Sequence, residues 1–477
     1  MYRAFVFLST LFFSPAVGPA QKDIRPAADS LKNVIRQSVK EPIFPARSFR
    51  ITDFGASPGS SEPATLAINK AIELCSYEGG GTVIVPAGTY FSGPIYLKSN
   101  VNLHLEKNAV IRFSTRPEDY LPLVKTRWEG IDCYNYSPLI YAYNEHNIAI
   151  TGEGILDGQA DTSNWWKWKG KPEYGWKKGM PSQLDPDGRP RLQKMNEQET
   201  GLEFRVFGEG GYLRPPFIQL YQCTGILLEG FTIRNSPFWL IHPLLSENIM
   251  IRKVHAESHG PNNDGIDPES CRNVIIRDCF FDTGDDCIAI KSGRDHDGRK
   301  WNRISENILI TACRMKNGHG GVSIGSEISG GCRNVVVDSC VMDSPELERA
   351  LRIKTNSLRG GIIENIYFSN IAVGEVKVSV LDIDCQYELK TNVAGNFPPV
   401  IRDIFLINIT SRKSRYALFL KGIPGFTSLD QIVINNAWFD GVQKGNYLEN
   451  AGNIYFEKVY LNGSECSLPS KSCHKTP

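Results

Sequence analysis

From residue 101 onward one hydrophobic pattern keeps returning: a polar residue, most often Asn, then a β-branched or apolar triplet. Val101-Asn102-Leu103-His104-Leu105 and Asn147-Ile148-Ala149-Ile150 open the series. Gly225-Ile226-Leu227-Leu228, Asn248-Ile249-Met250-Ile251, Asn273-Val274-Ile275-Ile276, Asn307-Ile308-Leu309-Ile310, Asn334-Val335-Val336-Val337 and Asn365-Ile366-Tyr367-Phe368 continue it. Asp403-Ile404-Phe405-Leu406, Gln431-Ile432-Val433-Ile434 and Asn453-Ile454-Tyr455-Phe456 end it. From Gly225 on, successive copies stand 22 to 38 residues apart. A fixed unit with loops of variable length explains that spread. One coil of about three short strands cannot bury its own apolar face, whereas stacked coils share a continuous core. The pattern therefore predicts an all-β chain folded as a single-stranded right-handed parallel β-helix, with corner Asn residues pairing from coil to coil. An antiparallel sandwich would show hairpin signals roughly every 8 to 12 residues, and Asn-Gly or Asp-Gly pairs do not recur in that way.

Ahead of the repeat, residues 49–52 predict a strand. Residues 65–75 have helical spacing, with Leu66, Ile68, Ala71, Ile72 and Cys75 apolar. Gly79-Gly80-Gly81 stops that helix. Strands at 82–86 and 88–90 follow. Such a helix would cap the open N-terminal end of a solenoid. Residues 21–48 read as a polar leader, 49–465 as the β-helix domain and 466–477 as a tail. Residues 157–216 interrupt the repeat and hold Trp165, Trp166, Trp168, Tyr174 and Trp176 among Lys167, Lys169, Lys171, Lys177 and Lys178. A loop that long inside a domain is usually functional or disordered. It reads equally as a flap packed on the solenoid and as a groove wall whose rings and lysines meet acidic sugars. A second insertion covers residues 294–304.

Composition narrows the function classes. With 41% hydrophobic and 22% charged residues, the chain is that of a folded soluble protein. A net charge of +1 provides no global field for nucleic acid or lipid, so a polyanion would need a local cluster of cations. Residues 1–20 read as a signal peptide: Arg3, an apolar run over residues 4–13, and Gly18-Pro19-Ala20 before Gln21. That run is too short for a membrane span. Secretion to the periplasm or beyond is expected, as is a monomer. Of the twelve cysteines, Cys271, Cys279, Cys287, Cys313, Cys332 and Cys340 suit buried positions in stacked turns as well as they suit bridges, while Cys466 and Cys473 are the better disulfide candidates. No paired CxxC supports a zinc site.

The candidate chemistry lies between residues 262 and 354. Asn262-Asn263-Asp264, Gly284-Asp285-Asp286, Gly318-His319-Gly320-Gly321 and Arg352-Ile353-Lys354 each sit in a turn beside a β-type run. Asp264 and Asp285 are 21 residues apart, close to one short coil. Adjacent strands lie roughly 4.8 Å apart, so diagonal carboxylates would be about 5 to 9 Å apart. That range covers both glycosidase geometries. Adjacent acids at 285 and 286 would ordinarily face opposite ways. If a turn bends both into one groove, three carboxylates crowd and at least one pKa rises, as a general acid requires. A solvated acidic turn or a calcium site would use the same residues. Arg352 and Lys354 flank Ile353 and share one strand face, where they could hold a substrate carboxylate.

Together, Asn262-x-Asp264, Gly284-Asp285-Asp286-Cys287, Gly318-His319-Gly320 and Arg352-Ile353-Lys354 resemble the four signature motifs of the polygalacturonases, glycoside hydrolase family 28. Asn263 stands where the family usually has Thr. The resemblance implies an inverting hydrolase of α-1,4-galacturonosyl bonds in pectin that needs no cofactor and no metal. It implies Asp285 as general acid, Asp264 and Asp286 as the pair that activates water, and His319 as the residue that tunes the acid. Arg352 and Lys354 would bind the galacturonate carboxylate, Tyr387 would line the groove beside the scissile bond, and Asn262 and Lys291 would support substrate binding. The stretches from Ile290 to Arg299 and from Gly320 to Glu327 look like bacterial exopolygalacturonases, so exo action on a galacturonate oligosaccharide or pectic polysaccharide is expected. A galacturonidase acting on rhamnogalacturonan side chains, a calcium-dependent pectate lyase and a non-catalytic pectin-binding solenoid are the alternatives. No basic-aromatic motif supports a nucleic-acid partner.

Overall fold

Every predicted repeat falls on one stack. In the computed structural model, which describes residues 25–389 and 395–466, Ile226, Ile249, Val274, Ile308, Val335, Ile366, Ile404, Ile432 and Ile454 pair in sequence across parallel strands. The chain winds as a parallel β-helix. Twenty-two strands make one long sheet, and four- and six-stranded sheets make the wall that bears the acids. Isolated bridges at Ile266 and Glu269 join the two halves of that wall. The candidate signal peptide lies outside the described residues. Among the described residues, no helix is long and apolar enough to cross a membrane.

The recurrent Asn residues take the corners because Asn tolerates the left-handed conformation better than branched residues do. Asn273, Asn307, Asn334 and Asn365 have φ between 57° and 59°. Their amides form a ladder, Asn307 to Asn273 at 3.1 Å, Asn334 to Asn307 at 3.0 Å and Asn365 to Asn334 at 2.6 Å. The six core-stack cysteines are buried free thiols, which decides between the two readings of them. Cys466 is disulfide-bonded, and Cys473 lies outside the described residues.

A strand alternates its faces, so the middle residue of each apolar triplet points outward and needs a cover. Helix α1 (Arg25–Ser38) provides it. Its Ala28 and Ile35 pack on the column Leu227, Met250, Ile275, Leu309 and Val336. Residues 25–38 of the polar leader are thus a packed helix, whose apolar stripe is narrow in a polar background. Helix α2 (Thr65–Tyr77) is the predicted N-terminal helix and buries Ala67, Ile68, Ala71, Ile72 and Cys75 against the first coils. The strand predicted at 49–52 stops at Arg50, where a 3-10 turn begins.

Both insertions are ordered and lock together. The first includes 3-10 turns at Trp165–Lys169 and Pro172–Tyr174 and helix α3 (Arg189–Glu197). The second forms helix α4 (Asp295–Trp301). Asn196 of α3 donates to the Arg294 carbonyl at 3.1 Å and accepts from the Asp297 amide at 3.0 Å. Arg205 reaches the buried Asp297 carboxylate at 2.6 Å. Most rings of the first insertion are structural: Trp165 and Trp168 meet edge to face at 4.9 Å, and Trp165 is buried in the main core.

Candidate active site

Register brings the acids together. Ile266 bridges Ile288, and the Gly265 amide donates to the Asp286 carbonyl. Asp264 therefore stands opposite Asp286 on the next coil, not diagonal to it. One oxygen from each of Asp264, Asp285 and Asp286 lies within 4.8 Å of the other two. This is tighter than the separation expected from spacing alone. Asp285 and Asp286 share the groove because the chain turns between them. Gly284 permits that turn, since a Cβ there would meet the Gly260 carbonyl at 2.6 Å. Gly320 admits Asp286, since a Cβ there would come within 2.8 Å of its Oδ1.

The cations divide the three acids into unlike groups. His319 Nδ1 is 2.9 Å from Asp285 Oδ1. Burial works to raise the pKa of Asp285, but His319 outweighs it and holds the carboxyl well below its usual range. Reciprocally, Asp285 raises His319 to about 9. Lys354 donates to Asp286 Oδ2 at 2.7 Å, and Arg352 lies 3.6 Å from Oδ1. Burial opposes ionisation of Asp286, but these two cations keep its pKa low. Asp264 is different. Burial raises its pKa well above the ordinary value, and Asp267 and Asp285 raise it further. The raised carboxyl is thus Asp264, whereas the proton beside Asp285 is stored on His319. Asp264 Oδ1 and Asp286 Oδ1 are buried and accept no hydrogen bond from the protein.

Lys291 is enclosed by carboxylates. It is 2% exposed and lies under the acids, 3.8 Å from Asp264, 3.6 Å from Asp267 and 3.2 Å from Glu327. Its position fits holding these carboxylates in place. Asn262 is also committed, for its Oδ1 accepts from Lys169 at 2.7 Å and from Arg214 at 2.9 Å. Arg352 and Lys354 both flank the Tyr387 ring, 5.2 and 5.4 Å from its centroid, so these three side chains form one surface. Asn263, at the position of the family's Thr, is fully buried and uses both ends of its amide. Its Oδ1 accepts from Ser258 and Gly260, and its Nδ2 donates to the Ser236 and Phe238 carbonyls.

Several participants were not singled out from the sequence. Asp267 is fully buried, and burial raises its pKa despite Lys291. Its place three residues after Asp264, on the same outward face as the acids of the next coils, was a usable signal. Glu129, at the tip of the hairpin formed by Val124–Trp128 and Ile131–Asn135, pairs with Arg189 at 2.7 Å and Arg294 at 3.3 Å. Arg294 in turn meets Glu327 at 3.4 Å. A chain of charge thus runs from α3 through Glu129, Arg294, Glu327 and Lys291 to Asp264. No local pattern marks Glu129, because the contact spans 165 residues. The three clustered acids have the spacing of a cation site. His319, Lys354 and Lys291 already supply positive charge there.

Residues 207–436, which contain all four motifs, match the family described as Glycosyl hydrolases family 28. The endo-polygalacturonase of Pectobacterium carotovorum subsp. carotovorum is 30% identical over 366 residues, 74% of this chain and 78% of that protein. The chain belongs to glycosyl hydrolase family 28. It is a glycoside hydrolase. Another family member, the exo-poly-alpha-D-galacturonosidase of Dickeya chrysanthemi, is 27% identical, with 88% of this chain and 72% of that protein covered. The crystal structure of a hyperthermoactive exopolygalacturonase from Thermotoga maritima superposes with a TM-score of 0.88. It is 46% identical, with 92% of this chain and 96% of that chain covered.

Proposed function

We propose that this enzyme is an inverting, exo-acting hydrolase of α-1,4-galacturonosyl bonds. The observation that carries the reading is the division of three adjacent carboxylates into a proton-loaded His319–Asp285 pair and an Asp264–Asp286 pair in which one oxygen of each accepts no hydrogen bond from the protein. His319 carries its proton below about 9. When a sugar displaces water from the pair, the ionic form loses solvation and the neutral form, histidine with carboxylic acid, gains ground. Asp285 then protonates the glycosidic oxygen as the bond to the anomeric carbon breaks. Asp286 is ionised and takes a proton from water, while protonated Asp264 orients that water. The water oxygen bonds to the anomeric carbon on the face opposite the leaving group. Retention is less favoured here: Lys354 occupies Asp286 Oδ2, and protonated Asp264 is a poor nucleophile.

The direction of the substrate follows from these roles. Asp264 is on the N-terminal coil and Asp285 leans toward His319 on the C-terminal side. The residue under attack therefore lies toward Asn262, and the leaving residue lies toward Arg352, Lys354 and Tyr387. The 157–216 insertion stands at the attacked, non-reducing side, with Lys169 on Asn262 and the Trp166 indole donating to the Ser236 carbonyl. This closed side, with the 46%-identical exopolygalacturonase fold, supports release of short products from the non-reducing end. Export is part of the proposal, supported by the N-terminal sequence pattern and by the disulfide at Cys466. Product analysis at early times on polygalacturonate is the test. A single short product from the first turnovers is expected; a ladder of mixed oligomers would reject exo action.

A further inference from the structure

Among the cations near the acids, Lys169 stands apart. Arg352 and Lys354 face Asp286, Lys291 faces Glu327, Asp267 and Asp264, and Arg189 and Arg294 share Glu129. Lys169 makes one side-chain hydrogen bond, to the neutral Asn262 Oδ1 at 2.7 Å, and no ion pair among the described residues. The same oxygen also accepts from Arg214, which is fully buried and otherwise bonded to the carbonyls of Pro237 and Pro261 and to Gln183. Two cations thus converge on one amide oxygen, and neither makes an ion pair with a carboxylate among the described residues. A buried charge without a counter-ion is costly, so this corner is prepared for an anion.

The position of Lys169 is rigid. Its 3-10 turn, Trp165–Lys169, is pinned by Trp165 and Trp168 in the core and by Trp166 over Gly260, where an added Cβ would lie 2.3 Å from the indole. The lysine is partly buried, and on the substrate direction proposed above it lies on the non-reducing side of the acids. Burial, then Arg214, lowers its pKa to about 8, with Arg189 acting in the same sense and Glu129 and Asp285 opposing. The deficit of negative charge is therefore felt at the ammonium itself. A bound carboxylate would remove it.

We propose that Lys169, held by Asn262 above Arg214, reads the carboxylate of the non-reducing-side uronate, making it a specificity-determining residue for the sugar under attack. This rests on the galacturonan-hydrolase reading of the site, and it gives the inserted segment a chemical task beyond closing the groove. Arg352 and Lys354 would read the carboxylate of the leaving sugar. Each ring flanking the scissile bond would then have its own cation set.

The test uses digalacturonate and its analogue methyl-esterified only on the non-reducing residue. Both span the scissile bond, so the comparison does not require exo action; a ladder from polygalacturonate would reject exo action without touching this result. Wild-type enzyme is expected to favour the free acid over the ester by about tenfold to hundredfold in kcat/KM, the weight of a charge-assisted hydrogen bond. Lys169→Met is expected to lose that preference mainly through KM, and Lys169→Arg to restore part of it. A preference that persists in Lys169→Met, or an equal loss on acid and ester, would overturn the assignment. So would a wild-type enzyme that accepts both equally. Failure on both substrates in every variant would reject the hydrolase reading instead.

Discussion

Asp285→Asn is expected to lower turnover by at least about two orders of magnitude, the usual weight of a positioned general acid. An amide has no carboxyl proton to give. The substitution also removes the anion that raises His319 to about 9, so the imidazole returns toward its ordinary range and the stored proton is released at neutral pH. The loss should be in kcat, since Arg352, Lys354 and Tyr387 are left in place to bind. Steady-state kinetics with a product-binding titration would check it. Turnover near the wild-type value would exclude Asp285 as the acid. In the wild-type enzyme, the alkaline limb of kcat/KM has the sign of a lost proton: the pair is loaded below about 9 and emptied as pH rises through it.

The second large effect is on stability. Lys291→Met keeps the length of the side chain and removes its charge. Lys291 is 2% exposed, and three carboxylates gather around it, Glu327 nearest at 3.2 Å. Burial alone would lower its pKa, yet Glu327, Asp264 and Asp267 raise it well above the usual value. Removing one member of a buried charge network leaves the others uncompensated, at a cost of about 3–5 kcal/mol. Denaturant unfolding would measure it. A change within about 0.5 kcal/mol, the range of an ordinary surface substitution, would show that the network does not depend on this lysine. The same variant removes the ammonium 3.8 Å from Asp264 that fixes the place of its side chain, so activity should fall together with stability.

The solenoid and the four motif clusters were legible because their information is local. A polar corner followed by an apolar triplet declares a strand, and its recurrence declares the stack. The cluster of Asp264, Asp285 and Asp286 followed from an interval close to one coil. What was illegible depends on register and on distant partners. A shift of one position would have set Asp264 diagonal to Asp286, and only the bridge between Ile266 and Ile288 fixes them as opposite. Helix α1 was hidden because Ala28, Leu31 and Ile35 become a stripe only once the outward column from Leu227 to Val336 exists to receive them. For Lys291, sequence shows a lysine beside acids but not that it lies beneath them. Lys169 was one of five lysines among tryptophans, and only packing separates the one that reaches Asn262.

The role assignments meet in the stereochemistry of a single turnover. Proton NMR of the first product released from a galacturonate oligomer, recorded before mutarotation, reads it directly. With Asp285 giving the proton and water attacking from the side of Asp264 and Asp286, an α-bond is cut with inversion. The product should appear first as the β-anomer, with the α-anomer growing in later. An initial α-anomer would require a covalent sugar–carboxylate intermediate and would contradict the division of the three acids.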